Sequence, residues 1–461
     1  MPNNLPIEFI TSLHNIKGFN KETFVKAHSS GEQVTSIRIN PSKFSMVNCQ
    51  FSIENIQLSI NGKVPWCSQG FYLSERPSFT FDPLFHAGVY YVQEASSMFL
   101  WHVLGQTIQH KKNLKILDLC AAPGGKTTLL ASYFNDGLIV GNEIIKSRVN
   151  VLIENVTKWG NENVVVTNNE AKDFQRLENY FDIIVVDAPC SGSGLFRKNN
   201  DAINEWSEEN VKLCNLRQQR IIADVYPALK QYGVLIYSTC SYSKEENEDV
   251  CDWLIKSYNL STINCQLSTD WGIIEVQSDK NKAYGYRFYP DKLKGEGFFI
   301  AAFKKNDGDN FHPQTKSSLT IPSKQEKKIA LDWIRKDANI FFIKQKEKIL
   351  AIPSQLIDEI SLLQKHLYLR KVGVAIGSLK NADFIPEHEL ALSLLVNDDV
   401  KKIELNKEQA IEYLQKKDLQ INFLTKGWAL ATYQNINLGW MKVLQNRMNN
   451  YYPVQWRILK Q

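Results

Sequence analysis

Five short apolar runs, separated by helical stretches, constrain the fold of this chain more than any other feature of its sequence. Hydrophobic residues in each run are almost uninterrupted, which is typical of strands in a parallel sheet that helices cover on both faces. The intervening stretches at 126–133 and 146–159 have the periodicity of amphipathic helices. The sequence therefore predicts a doubly wound α/β domain. Its strands are expected at residues 115–119, 137–141, 163–167, 181–186 and 233–238.

The rest of the chain predicts smaller units on either side of this domain. Its 461 residues exceed what a single core normally holds, so several domains are expected. A strand at 35–40 belongs to the first unit, and a helix at 326–336 and a β-hairpin at 427–443 belong to the last. The predicted units are a small α+β domain at 1–85, the α/β domain at 86–305, a polar linker at 306–325 and a C-terminal α+β region at 326–461.

Composition argues against membrane, secreted and metal-binding classes. No apolar run approaches the ~20 residues that a membrane-spanning helix needs. The N-terminus has neither the basic start nor the apolar stretch of a secretory signal, so a cytoplasmic location is expected. The eight cysteines are scattered without a Cys-x-x-Cys pair, so neither a disulfide framework nor a metal site is expected. The net charge of +5 permits a nucleic-acid partner without requiring one.

Basic, amide and aromatic residues follow the hairpin near the end of the chain. Such groups suit stacking on bases and binding of phosphate, which favours an RNA-binding surface. The alternative is an ordinary small β-domain with exposed aromatic side chains. The residues in question are Arg447, Asn449, Asn450, Tyr451 and Tyr452.

A glycine-containing turn follows the first strand of the α/β domain and opens a helix. Small residues there let a ligand approach the backbone, and the helix N-terminus offers free N–H groups. A phosphate-binding P-loop would need a glycine where Cys120 stands, and the dinucleotide pattern Gly-x-Gly-x-x-Gly is absent. A nucleoside without phosphates to bind remains, which fits S-adenosylmethionine. The turn consists of Cys120, Ala121, Ala122, Pro123, Gly124, Gly125 and Lys126.

Acidic residues end the next three strands. Glu143 follows the second strand about 20 residues beyond the glycines, where an acid can bind ribose hydroxyls. Glu170 follows the third strand and Asp187 the fourth. Carboxyl ends of successive strands meet at the crevice that binds ligands in open α/β sheets, so these side chains are candidates for cofactor binding. The alternative for Glu143 and Glu170 is a solvated surface carboxylate.

Two cysteines, Cys190 and Cys240, follow the fourth and fifth strands. An unpaired cysteine is usually a buried packing residue, and that alternative holds for either one alone. Neighbouring strands would, however, place both thiols above one edge of the sheet. A thiolate that adds to carbon 6 of cytosine makes carbon 5 electron-rich enough to accept a methyl group, and cysteine is intrinsically nucleophilic. Asp187 is placed to polarise the ring near N3 or the 4-amino group.

Several motifs together resemble the Sun family of RNA cytosine-5 methyltransferases. They occur in order between about residues 35 and 305, as 91–98, 118–127, 187–192, 238–241 followed by Glu-Asn-Glu, and 295–299. The resemblance implies a seven-stranded Rossmann-like fold that binds S-adenosylmethionine, preceded by a small RRM-like domain. It also implies a nucleophile from the Thr-Cys motif, Cys240, while the Pro-Cys cysteine, Cys190, assists breakdown of the covalent adduct. Glu143 would bind the ribose, Glu170 would lie near the adenine, and Asp187 would lie near the methyl donor.

The C-terminal region resembles the PUA-like tail of a narrower bacterial group of this family. Members of that group methylate a cytosine in the decoding region of 16S ribosomal RNA. The resemblance implies 16S ribosomal RNA or the small ribosomal subunit as partner, and a monomer is expected. Transfer RNA is the alternative substrate, because some relatives with similar tails modify it. A non-catalytic RNA-binding module would leave Cys190, Cys240 and Asp187 without a role.

Overall fold

A computed structural model of the protein describes residues 5–46, 58–308, 319–380, 383–419, 426–445 and 447–459. Its helices are α1 (Ile7–Ser12), α2 (Lys21–Ser29), α3 (Pro41–Met46), α4 (Pro83–His86), α5 (Leu100–Thr107), α6 (Gly125–Tyr133), α7 (Lys146–Trp159), α8 (Asn200–Glu205), α9 (Glu208–Val225), α10 (Glu248–Ser257), α11 (Lys324–Leu331), α12 (Ile357–His366), α13 (His388–Leu392) and α14 (Lys407–Leu414).

The strands are grouped into four sheets. They are β1 (Thr35–Ile39), β2 (Ile60–Lys63), β3 (Gly70–Leu73), β4 (Tyr90–Val92), β5 (Lys115–Asp118), β6 (Leu138–Asn142), β7 (Val164–Thr167), β8 (Phe181–Asp187), β9 (Leu229–Thr239), β10 (Leu260–Thr262), β11 (Ile274–Gln277), β12 (Tyr284–Phe288), β13 (Phe298–Lys305), β14 (Ile340–Gln345), β15 (Lys348–Pro353), β16 (Leu369–Val372), β17 (Val374–Lys380), β18 (Asp383–Pro386), β19 (Lys402–Glu404), β20 (Gly427–Tyr433), β21 (Ile436–Val443) and β22 (Met448–Asn450).

The large sheet confirms the predicted fold class. Seven of its strands have the order β7-β6-β5-β8-β9-β13-β12, in which β5 to β9 pair in parallel and β13 runs antiparallel to both of its neighbours. Strands β11, β10 and β16 widen this sheet to ten strands. The carboxyl ends of the five parallel strands therefore lie along one edge of the sheet, which is where the sequence predicts the ligand-binding crevice.

Helices cover both faces of the sheet, and successive residues of each strand point into opposite cores. Ile116 of β5 packs in a cluster with residues of α6 and α7, whereas the next residue, Leu117, packs in a cluster with residues of α9 and α10. Both side chains are fully buried. This alternation explains why the strands appear as uninterrupted apolar runs rather than as alternating ones.

The flanking regions form three four-stranded sheets. The N-terminal sheet has the order β2-β3-β1-β4, and the C-terminal sheets have the orders β14-β15-β17-β18 and β19-β20-β21-β22. The C-terminal region also supplies β16, which pairs antiparallel with β7 at the edge of the large sheet. The predicted hairpin is present as β20 and β21. The domain boundaries stay a prediction, and much of the predicted linker at 306–325 lies outside the described residues.

Three further observations concern the described residues as a group. None of their helices is long and apolar enough to cross a membrane. No group of three or more His, Cys, Asp or Glu side chains among them could hold a metal ion. The seven described cysteines are all free thiols.

Candidate active site

Cys190 and Cys240 lie side by side at the carboxyl edge of the large sheet. Strands β8 and β9 pair in parallel up to Asp187 and Ser238, so the loops that follow them leave the sheet together. The two sulfur atoms are 3.1 Å apart, and both side chains are partly buried. Contact with Cys240, together with burial, raises the pKa of the Cys190 thiol well above its ordinary value. Either thiol can act as the donor in this contact.

A buried carboxylate joins the two cysteine loops. Oε1 of Glu246 accepts from the Ser191 amide at 2.8 Å, and Oε2 accepts from the hydroxyls of Ser191 and Ser241 at 2.5 Å each. Gln218 of α9 donates to Oε1 as well, at 3.1 Å. Burial raises the pKa of Glu246, although these hydrogen bonds oppose that shift. Because donors from both loops meet on one side chain, Glu246 fixes the position of one loop relative to the other.

The backbones of the same loops are in direct contact. The Gly194 amide donates to the Cys240 carbonyl oxygen at 2.8 Å. A Cβ atom built on Gly194 would lie 2.7 Å from that oxygen and closer still to the carbonyl oxygen of Gly297. Glycine is therefore required at this position by close approach of the chain rather than by its own backbone angles.

Lys126 connects the predicted cofactor turn to Asp187. Its ammonium is 2.7 Å from Oδ2 of Asp187, while Oδ1 accepts from the Ser238 hydroxyl, also at 2.7 Å. The turn reverses at Gly124, whose φ of 115° suits glycine, and α6 begins at the next residue. The structure thus brings the turn, Asp187 and both cysteines to one end of the sheet.

Glu143 lies at the end of β6 beside the turn and is only 3% exposed. Its Oε1 accepts from the Ile145 amide at 2.9 Å, but Oε2 accepts no hydrogen bond from any described residue. Arg148 connects Glu143 to the cofactor turn, because its guanidinium lies 3.4 Å from Oε2 of Glu143 and donates to the Ala122 carbonyl oxygen at 2.5 Å. A buried carboxylate oxygen that has a neighbouring cation but accepts no hydrogen bond fits a ligand hydroxyl, as the ribose of S-adenosylmethionine would provide.

The recorded partners of the Glu170 side chain are Lys172 and Asp173 rather than the residues of this group. Its side chain is exposed, forms an ion pair of 2.7 Å with Lys172, and exchanges capping hydrogen bonds with Asp173 at the start of the short helix Ala171–Leu177. The hydrogen bond from Lys172 lowers the pKa of Glu170. Its predicted place near the adenine stays a prediction.

Sequence reasoning missed three side chains that organise the site. Glu246 was visible only as one of several acids after the Thr-Cys motif, and nothing in that run indicates which acid is buried. Arg148 lies on an amphipathic helix, where arginine is ordinary. Arg38 reaches from β1 to the cofactor turn, donating to Thr128 at 2.6 Å and to the Gly125 carbonyl oxygen at 3.3 Å. Its role depends on how two units of the chain pack together.

Taken together, the strand order, the crevice at its carboxyl edge and a turn unsuited to phosphates define a Rossmann-like methyltransferase that uses S-adenosylmethionine. Comparison with known families agrees with this class. Residues 105–304 match the model for the 16S rRNA methyltransferase RsmB/F. Residues 5–95 match the N-terminal domain of 16S rRNA methyltransferase RsmF, and residues 400–458 match the methyltransferase RsmF PUA domain.

Similar proteins extend over almost the whole chain. The ribosomal RNA small subunit methyltransferase F of Psychromonas ingrahamii is 33% identical over 443 residues, which cover 91% of this chain and 90% of that protein. Its counterpart from Aliivibrio fischeri is 32% identical over 440 residues, with the same coverage. The chain therefore belongs to the ribosomal RNA small subunit methyltransferase F family. The resemblance to the Sun family and its PUA-bearing group is confirmed.

Solved structures share the fold. A methyltransferase homolog protein from Pyrococcus horikoshii superposes with a TM-score of 0.52 at 28% identity, covering 65% of this chain and 100% of that one. NSun6 from the same organism superposes with a TM-score of 0.54 over 67% of this chain and 100% of that one. At 20% identity the second match bears on the fold alone.

Proposed function

We propose that this chain transfers a methyl group from S-adenosylmethionine to carbon 5 of a cytosine in 16S ribosomal RNA. The observation that carries the proposal is the pair of thiols 3.1 Å apart beside the cofactor turn. Methylation of an exocyclic amine would need no thiol, whereas activation of carbon 5 needs a nucleophile that adds to carbon 6. The relatives, named as methyltransferases of small-subunit ribosomal RNA, favour 16S ribosomal RNA over transfer RNA.

Cys240 acts as the nucleophile in this proposal. The Cys240 thiol loses its proton to solvent, and the resulting thiolate adds to carbon 6 with the Cys190 sulfur 3.1 Å away. Asp187 orients the base by accepting a hydrogen bond from its 4-amino group, while Lys126 and Ser238 hold the carboxylate in place. The bound cofactor supplies the methyl group to carbon 5. Loss of the carbon 5 proton to a base then expels the Cys240 thiolate, and the Cys190 S–H donates to the departing sulfur.

The cofactor is held by the turn and by Glu143 in the same proposal. Residues 120–126 provide the close backbone approach, and Oε2 of Glu143, which accepts no hydrogen bond from a described residue, accepts from a ribose hydroxyl. Target cytosines must leave their stack to reach a sulfur atom at this depth, which costs a few kcal/mol unless the base is already unpaired. In this proposal the chain is a monomer that works in the cytoplasm. Its substrate is either naked 16S ribosomal RNA or the assembled small subunit.

Three alanine variants test the roles of the thiols. Cys240→Ala should abolish methyl transfer while S-adenosylmethionine still binds. Cys190→Ala should leave a protein–RNA adduct that survives denaturing electrophoresis. Cys265→Ala is the control, because this buried thiol contacts Tyr286 of β12 rather than either cysteine of the pair, and its loss should leave both readouts unchanged.

The outcomes separate the parts of the proposal. If Cys190→Ala prevents the adduct and Cys240→Ala traps it, the two roles are reversed. Transfer to purified transfer RNA but to neither 16S ribosomal RNA nor the small subunit would contradict the proposed substrate. Bisulfite sequencing of total RNA, with and without the gene, would identify the modified cytosine.

A further inference from the structure

Strand β16 brings part of the C-terminal region to the edge of the cofactor crevice. It pairs antiparallel with β7, and Leu369 lies opposite Thr167, the last residue of β7. The residue before β16, Tyr368, therefore lies at the carboxyl edge of the sheet, where β6 and β7 end. Nothing in the proposed chemistry uses this residue.

The backbone of Tyr368 is fixed to the crevice by two asparagines. Its carbonyl oxygen accepts from the Asn168 amide at 3.1 Å and from Nδ2 of Asn169 at 3.3 Å, and its own amide donates to Oδ1 of Asn169 at 3.0 Å. Asn168 also donates through Nδ2 to the carbonyl oxygen of Glu143 at 2.7 Å. Tyr368 is thus held rigidly relative to the predicted ribose-binding residue.

The ring of Tyr368 faces solvent, whereas Leu367 is buried and Leu369 partly buried. Leu367 and Leu369 pack against the core on one face of the sheet, so the alternation of a strand directs Tyr368 away from that core. Its exposed fraction is 63%. The guanidinium carbon of Arg370 lies 5.9 Å from the ring centroid, and Nη2 of Arg370 donates to Asn150 of α7 at 3.3 Å. An exposed ring and an adjacent cation are therefore held in place together.

We propose that Tyr368 and Arg370 form a contact for the substrate RNA at the rim of the crevice. Because three strands separate β16 from β8, a nucleotide several positions from the target cytosine stacks its base on the Tyr368 ring and binds its phosphate to the Arg370 guanidinium. Aromatic rings accept any base by stacking, and arginine pairs with phosphate, so this combination suits a single-stranded or opened segment. The inference rests on the proposed function and adds a binding site that the C-terminal region contributes to the crevice.

Tyr368→Ala tests the stacking, because it removes the ring and keeps the backbone hydrogen bonds to Asn168 and Asn169. With 16S ribosomal RNA as probe, the Kd and the KM for RNA should rise about fivefold or more. The kcat at saturating RNA and the Kd for S-adenosylmethionine should stay unchanged. Tyr368→Phe should restore RNA affinity, and Arg370→Met should reduce the slope of log Kd against log salt by about one.

Tyr232→Ala is a matched control. Tyr232 is also 63% exposed and has a cation 5.5 Å from its ring centroid, in this case Nζ of Lys304. It lies near the start of β9, at the end of the sheet opposite the crevice. Its loss should leave RNA affinity unchanged.

Equal RNA affinities for Tyr368→Ala and Tyr232→Ala, in an enzyme that methylates RNA, would overturn this inference and leave the proposed function standing. Weaker binding of S-adenosylmethionine to Tyr368→Ala, with unchanged RNA affinity, would also overturn it, because the ring would then belong to the cofactor site. A wild-type protein that neither binds nor methylates RNA would instead contradict the proposed function itself.

Discussion

Replacing Gly194 with alanine should push the two cysteine loops apart. The new Cβ would lie 2.7 Å from the Cys240 carbonyl oxygen, whereas ordinary contact begins at 3.4 Å. The loops must therefore separate by about 0.7 Å to reach ordinary contact, the difference between these distances. The neighbouring carbonyl oxygen of Gly297 adds to the repulsion, and neither oxygen can rotate away as a side chain would.

Such a separation should reduce catalysis more than cofactor binding. A displacement of about 1 Å at reacting groups can reduce a rate by about 100-fold, so we expect methyl transfer to fall by between about 10-fold and 100-fold. The free energy of unfolding should fall by about 1–3 kcal/mol, as for other overpacked positions. Single-turnover transfer at saturating RNA and S-adenosylmethionine measures the first effect, and denaturant unfolding measures the second. The Kd for S-adenosylmethionine should not change, because the turn at 120–126 is not displaced.

Gly192→Asn provides the control within the same loop. Gly192 has a φ of 72°, which asparagine tolerates better than most residues, and no described atom lies within 4 Å of its Cβ position. This variant should keep nearly full activity. A folded Gly194→Ala protein that transfers methyl groups at the wild-type rate would refute the idea that backbone contact positions the thiols.

Two further predictions concern the cofactor and pH. Glu143→Ala should raise the Kd for S-adenosylmethionine at least tenfold by calorimetric titration, because a hydrogen bond to a charged group contributes about 1.5–3 kcal/mol; an unchanged Kd would remove Glu143 from the site. Burial lowers the pKa of Lys43 from 10.5 to about 7, so the unfolded chain binds one more proton between these values and the wild-type free energy of unfolding should rise with pH there. The free-energy cost of burying the charged Lys43 is complete below pH 7 and absent above pH 10.5. Denaturant unfolding of Lys43→Met should therefore give a free energy of unfolding that varies less with pH across this range. Equal pH dependence for the variant and the wild type would contradict the lowered pKa of Lys43.

The parallel strands could be predicted from sequence because each one is marked by its own short run of hydrophobic residues. Helix α7 has the bounds that its periodicity indicates, 146–159. Strand β9 begins at Leu229, before the predicted run at 233–238, and this extension has no apolar run because Lys230 and Gln231 are polar and Tyr232, at a positive φ of 61°, is exposed. Hydrophobicity marks the buried part of a strand and does not mark its hydrogen-bonded extension.

The site could be predicted only as far as strand ends determine it. Cys190, Cys240 and Asp187 follow neighbouring parallel strands, so topology alone brings them together. Glu170 follows a strand in the same way, yet its side chain pairs with Lys172, because a residue's place at a strand end does not determine its rotamer. The burial of Glu246 depends on four donors from two loops and one helix, which no local pattern records.

The position of β16 shows why the sequence did not predict that the C-terminal region adds a strand to the large sheet beside the site. Strand β7 would otherwise be an open edge with unpaired N–H and C=O groups, and any short extended segment can cover such an edge. Which segment does so depends on the packing of α12, more than 180 residues beyond β7 in the chain. The consequence is that the cofactor crevice and the C-terminal region share one sheet. An aromatic residue from that region, Tyr368, then lies at the carboxyl edge of the sheet without any motif of its own, so RNA bound there as proposed would be connected to the C-terminal sheets through β16.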